Sequence, residues 1–178
     1  MLVTTGKAQI LGVKTNFVYW TTLTPNLGLE VGLTPKSTFN LSGGYNPWNL
    51  GGSESNNDKL VHWIVVPEYR YWLCERFNGH FFGVHLLGSM YNISGKKVPL
   101  LFEKPFRYEG WALGAGVAYG YHWMWGKHWG LEFEVGLGFA YLNYGKYDCP
   151  RCGSKIGDFN KYYLGPTKAA ISLVYLIK

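Results

Sequence analysis

Strict alternation of bulky apolar residues with small or charged ones constrains this chain more than any other feature. From Leu131 to Tyr141 the odd positions read Leu, Phe, Val, Leu, Phe and Tyr, whereas the even ones are Glu132, Glu134, Gly136, Gly138 and Ala140. From Trp111 to Trp123 the odd positions are again mostly bulky, with Ala112, Gly114, Gly116, Ala118 and Gly120 between them. Successive side chains of a strand point to opposite faces, so period two specifies a strand with two chemically distinct faces. The run from Gly110 to Gly126 contains no Asp, Glu, Lys or Arg, but its five glycines and its period argue against a membrane-spanning helix.

The same signal recurs along most of the chain. Leu27, Leu29, Val31 and Leu33 enclose Gly28, Glu30 and Gly32, and Leu11, Val13, Phe17 and Tyr19 alternate with Gly12, Lys14 and Asn16. Near the carboxyl end Ala169, Ile171, Leu173, Tyr175 and Ile177 alternate with Lys168, Ala170 and Ser172, although Val174 and Leu176 blur the pattern. With weaker alternation at 37–47, 61–73 and 80–92, the pattern predicts eight strands, near 8–19, 25–33, 37–47, 61–73, 80–92, 108–124, 128–144 and 165–178, and no helix. The links after the third, fifth and seventh strands are long (47–60, 93–107 and 145–164), while those after the second, fourth and sixth are short. An even number of antiparallel strands with long links at one end and tight turns at the other is the plan of an outer-membrane barrel. The expected fold is all-β: residues 1–178 form one domain, an eight-stranded antiparallel up-and-down transmembrane β-barrel.

Composition agrees. The chain is 18% aromatic and 47% hydrophobic and has 24 glycines, which excludes disorder, and the glycines lack the three-residue period of collagen. Only 16% of residues are charged, where an average soluble domain has roughly a quarter. The mean hydropathy is nevertheless −0.08, because apolar residues occupy only alternate strand positions.

The width of the barrel assigns the faces. An eight-stranded barrel has an interior just wide enough for side chains to fill, so the small face carrying Gly28, Gly114, Gly116, Gly136 and Gly138 belongs inside and the aromatic face outside. A lipocalin-like soluble barrel would invert this arrangement. By parity the inward face also carries Lys14, Arg70 and Lys168 together with Glu30, Glu68, Glu132 and Glu134, plus His85 and His122. Buried charges are costly without partners, so these residues are expected to interlock as an ion-pair network plugging the lumen. Two aromatic girdles are expected, with Tyr19, Trp20, Tyr45, Trp48, Trp63, Trp111 and Tyr144 near one end and Tyr71, Tyr121, Trp123, Trp129 and Tyr175 near the other.

Motifs for chemistry are sparse. Cys149-Pro150-Arg151-Cys152-Gly153 looks like one knuckle of a zinc ribbon, but tetrahedral zinc needs about four ligands. Cys74 falls at the opposite end of the expected barrel. A local Cys149–Cys152 disulfide is therefore favoured over a metal site, and no metal or other cofactor is expected. GxSxG, HExxH, Walker and GxGxxG strand-to-helix patterns are absent. A basic rim of loop residues such as Lys96, Lys97, Lys104, Arg107, Lys146 and Lys155 accounts for the net charge of +6 and suits anionic headgroups or lipopolysaccharide rather than nucleic acid.

Several segments carry a resemblance. Lys14-Thr15-Asn16, Thr24-Pro25-Asn26-Leu27-Gly28-Leu29-Glu30, Ser42-Gly43-Gly44-Tyr45-Asn46-Pro47-Trp48, Pro67-Glu68-Tyr69-Arg70-Tyr71-Trp72, Phe77-Asn78-Gly79-His80-Phe81-Phe82-Gly83, Arg107-Tyr108-Glu109-Gly110 and Gly165-Pro166-Thr167-Lys168-Ala169 resemble a family of small outer-membrane β-barrel proteins of Bacteroidota-type bacteria. Genes of that family often lie beside genes for fimbrial anchoring and assembly, and the Cys149/Cys152 knuckle fits its pattern. The resemblance implies an integral outer-membrane barrel connected with fimbrial or cell-surface assembly, and it brings no catalytic residues. Met1 to Lys7 has no apolar stretch of the kind a signal peptide carries, so the expectation is a mature chain whose signal has been removed.

The expected function is non-enzymatic: a membrane anchor or docking component whose long loops meet a protein partner in surface assembly. A small lipid-modifying enzyme is the first alternative, with His62, His80 and loop acids as its only candidates for a polar catalytic group at the rim. A narrow pore is the second, and a charged plug disfavours it.

Overall fold

The computed structural model describes residues 11–48, 59–94, 106–148 and 154–177. Eight strands close into one barrel: β1 (Leu11–Asn16), β2 (Asn26–Thr34), β3 (Ser37–Asn46), β4 (Lys59–Trp72), β5 (Gly79–Ser94), β6 (Arg107–Trp125), β7 (Trp129–Tyr147) and β8 (Lys155–Ile177). Each strand pairs antiparallel with its sequence neighbour, and β1 closes the ring on β8 through pairs such as Val13↔Tyr175. Closure removes the unpaired edges that an open sheet would expose.

Side-chain direction follows the alternation. On β2, β4, β6 and most of β7 the even-numbered residues point inward and, apart from Thr34 at the end of β2, are buried or half-buried, whereas odd-numbered Leu29, Val65, Leu113, Val117, Val135 and Leu137 stand exposed on the outside. Val117 and Leu137, partners across the β6–β7 ladder, are each 63% exposed. This aliphatic belt lies between two sets of outward aromatics: Tyr45, Trp48, Trp63 and Trp111 toward the loop end, and Tyr71, Tyr121, Trp123 and Trp129 toward the turn end.

The structure departs from the sequence reading in three places. The first strand ends at Asn16, and residues Phe17–Trp20 form a single helical turn, α1. Asn16 causes the change: its side-chain oxygen accepts from the Val18 backbone N–H at 3.0 Å, an N-cap, and also from Ile171 N–H at 3.2 Å. Tyr19 therefore turns into the lumen, where it approaches Gly44, instead of joining a girdle. Second, Tyr144 is partly buried against the loop-end core rather than standing on the outer face. Third, much of the segment 145–164 is strand: β7 runs to Tyr147 and β8 begins at Lys155, with pairs such as Asn143↔Asn160. With 19 and 23 residues, β7 and β8 far exceed the 9–11 that a tilted membrane strand needs.

One register shift matters for the interior. Gly136 pairs with Lys168 but Leu137 pairs with Pro166, so Thr167 is an extra residue in β8. Bulges of this kind re-aim side chains. On the carboxyl side of Thr167 the even residues Lys168, Ala170, Ser172 and Val174 face inward; on its amino side Tyr163 does. Pro166, which has no N–H to donate to a ladder, sits at this irregularity.

Candidate functional site: a layered lumen

Three layers fill the barrel. At the turn end, Trp72, Phe77, Phe81, Val174 and Leu176 form a buried apolar cluster. Phe77 belongs to the β4–β5 turn and holds φ at 62°, a left-handed conformation uncommon for a bulky residue. That conformation carries its ring into the lumen, where it packs 5.9 Å from the Trp72 ring and edge-on to His122. The inward positions opposite are glycine for a reason: a Cβ at Gly120 would overlap the Phe81 ring, and one at Gly12 would come within 3.2 Å of Phe77.

The middle layer is charged. Arg70, 1% exposed, donates from Nε to Glu68 at 2.6 Å, from Nη1 to Glu30 at 2.7 Å and Glu132 at 2.9 Å, and from Nη2 to Glu134 at 2.8 Å and Glu132 at 3.1 Å. Lys14 bridges Glu30 and Glu132, and Lys168 bridges Glu68 at 2.7 Å and Glu134 at 2.9 Å. All seven residues singled out for the lumen thus meet in one network. Thr38 donates to Glu30 and accepts from Trp72 Nε1 at 2.9 Å, which ties the network to the apolar cluster below. The Arg70 guanidinium also lies 4.4 Å from the Phe81 ring centroid, a cation–π contact. Space left around the network amounts to about 30 Å³, close to the volume of one water molecule.

The third layer, at the loop end, is an apolar chamber of about 480 Å³. Its walls include Leu60, Ile64, Leu87, Ile93 and Leu142, and α1 with the turn that follows it lies across the space through Val18, Tyr19, Thr21 and Thr22. Tyr19 borders both this chamber and the small space around the charges. The period-two signal marked which face was inward but not this change of character along the lumen, because Leu60, Ile64 and Leu142 sit at inward positions of strands whose deeper inward positions are charged.

The remaining candidates separate. His85 is inward, with Nε2 2.9 Å from the Thr167 hydroxyl. His122 is buried beside Trp72. His62 lines the chamber, its Nδ1 3.4 Å from the Leu60 carbonyl oxygen. His80 is outside, near the turn end, hydrogen-bonded at 2.7 Å with the Tyr119 hydroxyl and stacked on that ring. The two rim histidines are therefore at different ends and on different faces of the wall. Cys74 is exposed in the β4–β5 turn, and Cys149 and Cys152 lie outside the described residues. No cluster of three or more metal-ligating side chains occurs among the described residues. Beyond the chamber, on the β7–β8 hairpin, Asp158 accepts from Lys155 Nζ at 2.6 Å, and this bond raises the ammonium pKa.

A closed up-and-down barrel of eight strands, apolar outside and sealed by charge within, defines the class. The chain belongs to the family described as protein of unknown function (DUF3575), whose model matches residues 1–177. No curated protein and no solved structure matches the chain.

Proposed function

We propose that this chain is an integral outer-membrane barrel that serves as a non-enzymatic anchor or docking component for fimbrial or other cell-surface assembly. The observation that carries the membrane half of the reading is the outer face. Val84, Leu86, Leu113, Val117, Val135 and Leu137 form a contiguous exposed aliphatic surface, while Lys14, Arg70, Lys168 and the four glutamates are buried inside. A water-soluble protein of this size does not expose so large an apolar patch, and a bilayer removes the objection. The outward aromatics at both ends fit the interfacial girdles of such barrels.

The docking half rests on the β7–β8 hairpin, whose β8 is the longest described strand at 23 residues and carries Tyr162 at 71% and Leu164 at 83% exposure on its outer side. A photo-crosslinking residue at Tyr162, activated in intact cells, is expected to capture a fimbrial subunit or its assembly factor. Replacing residues 146–157 by a two-residue Asn-Gly turn is expected to abolish capture while the barrel stays folded and heat-modifiable on gels. Capture that persists after this truncation overturns the docking assignment.

A further inference from the structure

The loop-end chamber is too large and too apolar to be a packing defect. At about 480 Å³ it is some threefold larger than the roughly 150 Å³ engineered apolar cavity that stays dry and takes up benzene, and it falls in the ~300–1,000 Å³ range of ligand pockets. Three of its hydroxyl groups are turned to the protein itself. Ser89 Oγ donates to the Trp63 carbonyl at 2.8 Å, Tyr163 Oη donates to the Pro166 carbonyl at 3.1 Å, and the Thr167 hydroxyl pairs with His85. What faces the space is mainly the methyl groups and ring faces of Leu60, Ile64, Leu87, Ile93 and Leu142. The space is open on one side, but water against these walls forgoes hydrogen bonds and an unfilled pocket forgoes dispersion contacts along them. The ligand chemistry that satisfies both conditions is hydrocarbon.

The hydrogen-bond ladder beside the chamber is also interrupted, although both strands run on through the interruption. The β4–β5 ladder runs from Lys59↔Ser94 to Val65↔Gly88, lapses at Val66 and Pro67, and resumes in the same register at Glu68↔His85. Leu87, opposite the lapse, lines the chamber. Proline has no N–H to restore the ladder. Across the barrel, the β7–β8 register shift places Pro166 and Thr167 on the chamber wall as well. The chamber therefore borders two stretches where the barrel wall is not a continuous ladder.

We propose that this chamber holds an acyl chain of a bilayer lipid, admitted where the β4–β5 hydrogen bonding lapses beside Leu87 and stopped at the inner end by Tyr19 above the charged layer. The inference rests on the membrane reading above. The test uses the full chain reconstituted in phosphatidylethanolamine/phosphatidylglycerol vesicles that contain a phospholipid with a diazirine at the end of one acyl chain. After irradiation, labelled positions are mapped by mass spectrometry. Labels are expected on inward Leu60, Ile64 and Leu142 as well as on outward Leu113 and Val117. The inward labels should be lost in Ala112→Phe and, separately, in Ile64→Trp, each of which fills the chamber, while the outward labels remain; heat-modifiability confirms that each variant is folded. Labels confined to the outward residues of the wild type overturn the chamber assignment but leave the membrane reading intact; that is the result expected if the chain's own loops occupy the space. Absence of labels on either face overturns both. Inward labels that survive in both filled variants also overturn it. So does inward labelling that only the same reagent supplied as a free fatty acid produces, since that assigns the chamber to a different ligand.

Discussion

Replacing Arg70 by Met isolates the energetic role of the charged layer. Met keeps the length and the apolar stem, so the Phe81 side of the pocket stays filled, but the substitution removes five N–H···O contacts of 2.6–3.1 Å to Glu30, Glu68, Glu132 and Glu134. Three cations and four carboxylates become two and four, so the formal balance of the layer moves from −1 to −2 with all members still buried. Removing one partner of a buried pair costs about 3–5 kcal/mol, because the charges left behind lose their compensation. At ~1.4 kcal/mol per factor of ten, that is a fall of about two to four powers of ten in the folding equilibrium constant. Urea unfolding of the protein reconstituted in vesicles, followed by tryptophan fluorescence, measures it as a lower midpoint with unchanged slope. Adding Glu132→Gln to Arg70→Met returns the balance to −1 and should recover part of the loss. Arg70→Lys should fall between the two, since one ammonium cannot span four carboxylates arranged around a planar fork. An Arg70→Met midpoint equal to wild type would show that water reaches and screens the layer, and the argument from buried charge would fail.

Three further outcomes test other parts of the structure. Gly138→Ala should destabilise by about 1–3 kcal/mol through overpacking, because its Cβ would overlap the Ala115 carbonyl oxygen and lie 2.7 Å from Gly116 Cα; Gly88→Ala, whose Cβ would only touch Leu113 at 3.8 Å, should be nearly neutral in the same unfolding assay. Val117→Arg should cost about 2–4 kcal/mol in vesicles if this position lies near the bilayer midplane, whereas in a water-soluble barrel the same exposed substitution would fall within about 0.5 kcal/mol; a neutral result refutes the membrane assignment of the outer face. In planar bilayers the wild type should show no single-channel conductance, because the space around the charges is only about 30 Å³; steady ion-selective openings would contradict a sealed lumen.

The strand pattern was legible because a barrel wall has two faces, one turned to a narrow lumen and one to the outside, so every second residue reports the surroundings it meets. Lys14, Glu30 and Glu132 could be assigned inward from parity alone, and their meeting in one network followed from closure, which brings β1, β2 and β7 around a narrow lumen. The aromatic cork was harder to read. A lining of large rings was expected to overfill the interior, yet Trp72, Phe77 and Phe81 lie inside, accommodated by Gly12 and Gly120 on other strands. That match of large to small is made between residues far apart in the chain, and a period computed along one strand carries no record of it. The same reason explains Val174 and Leu176, which blur the alternation of β8 because they belong to the cork. In α1 a local signal overrode the period: Phe17 and Tyr19 continue the alternation, but the Asn16 cap ends the strand.

The position of the charged layer bears on function as much as its composition does. Arg70 on β4 ties to Glu30 on β2 and to Glu132 and Glu134 on β7, Lys14 joins β1 to β2 and β7, and Lys168 joins β8 to β4 and β7. The ties from Arg70 to β2 and β7, from Lys14 to β7 and from Lys168 to β4 cross the lumen rather than run along one ladder, so they fix the barrel's cross-section where backbone pairing alone would leave it free to flatten. Strand β7 receives ties from all three cations, and β8 supplies one of them. The loop end of the β7–β8 hairpin, which β6 accompanies as far as Arg107↔Tyr147, therefore rises from the most heavily braced part of the wall. The docking role proposed above calls for such a base. A pore would instead need a continuous polar path where this protein places a cork, a charge seal and an apolar chamber in series.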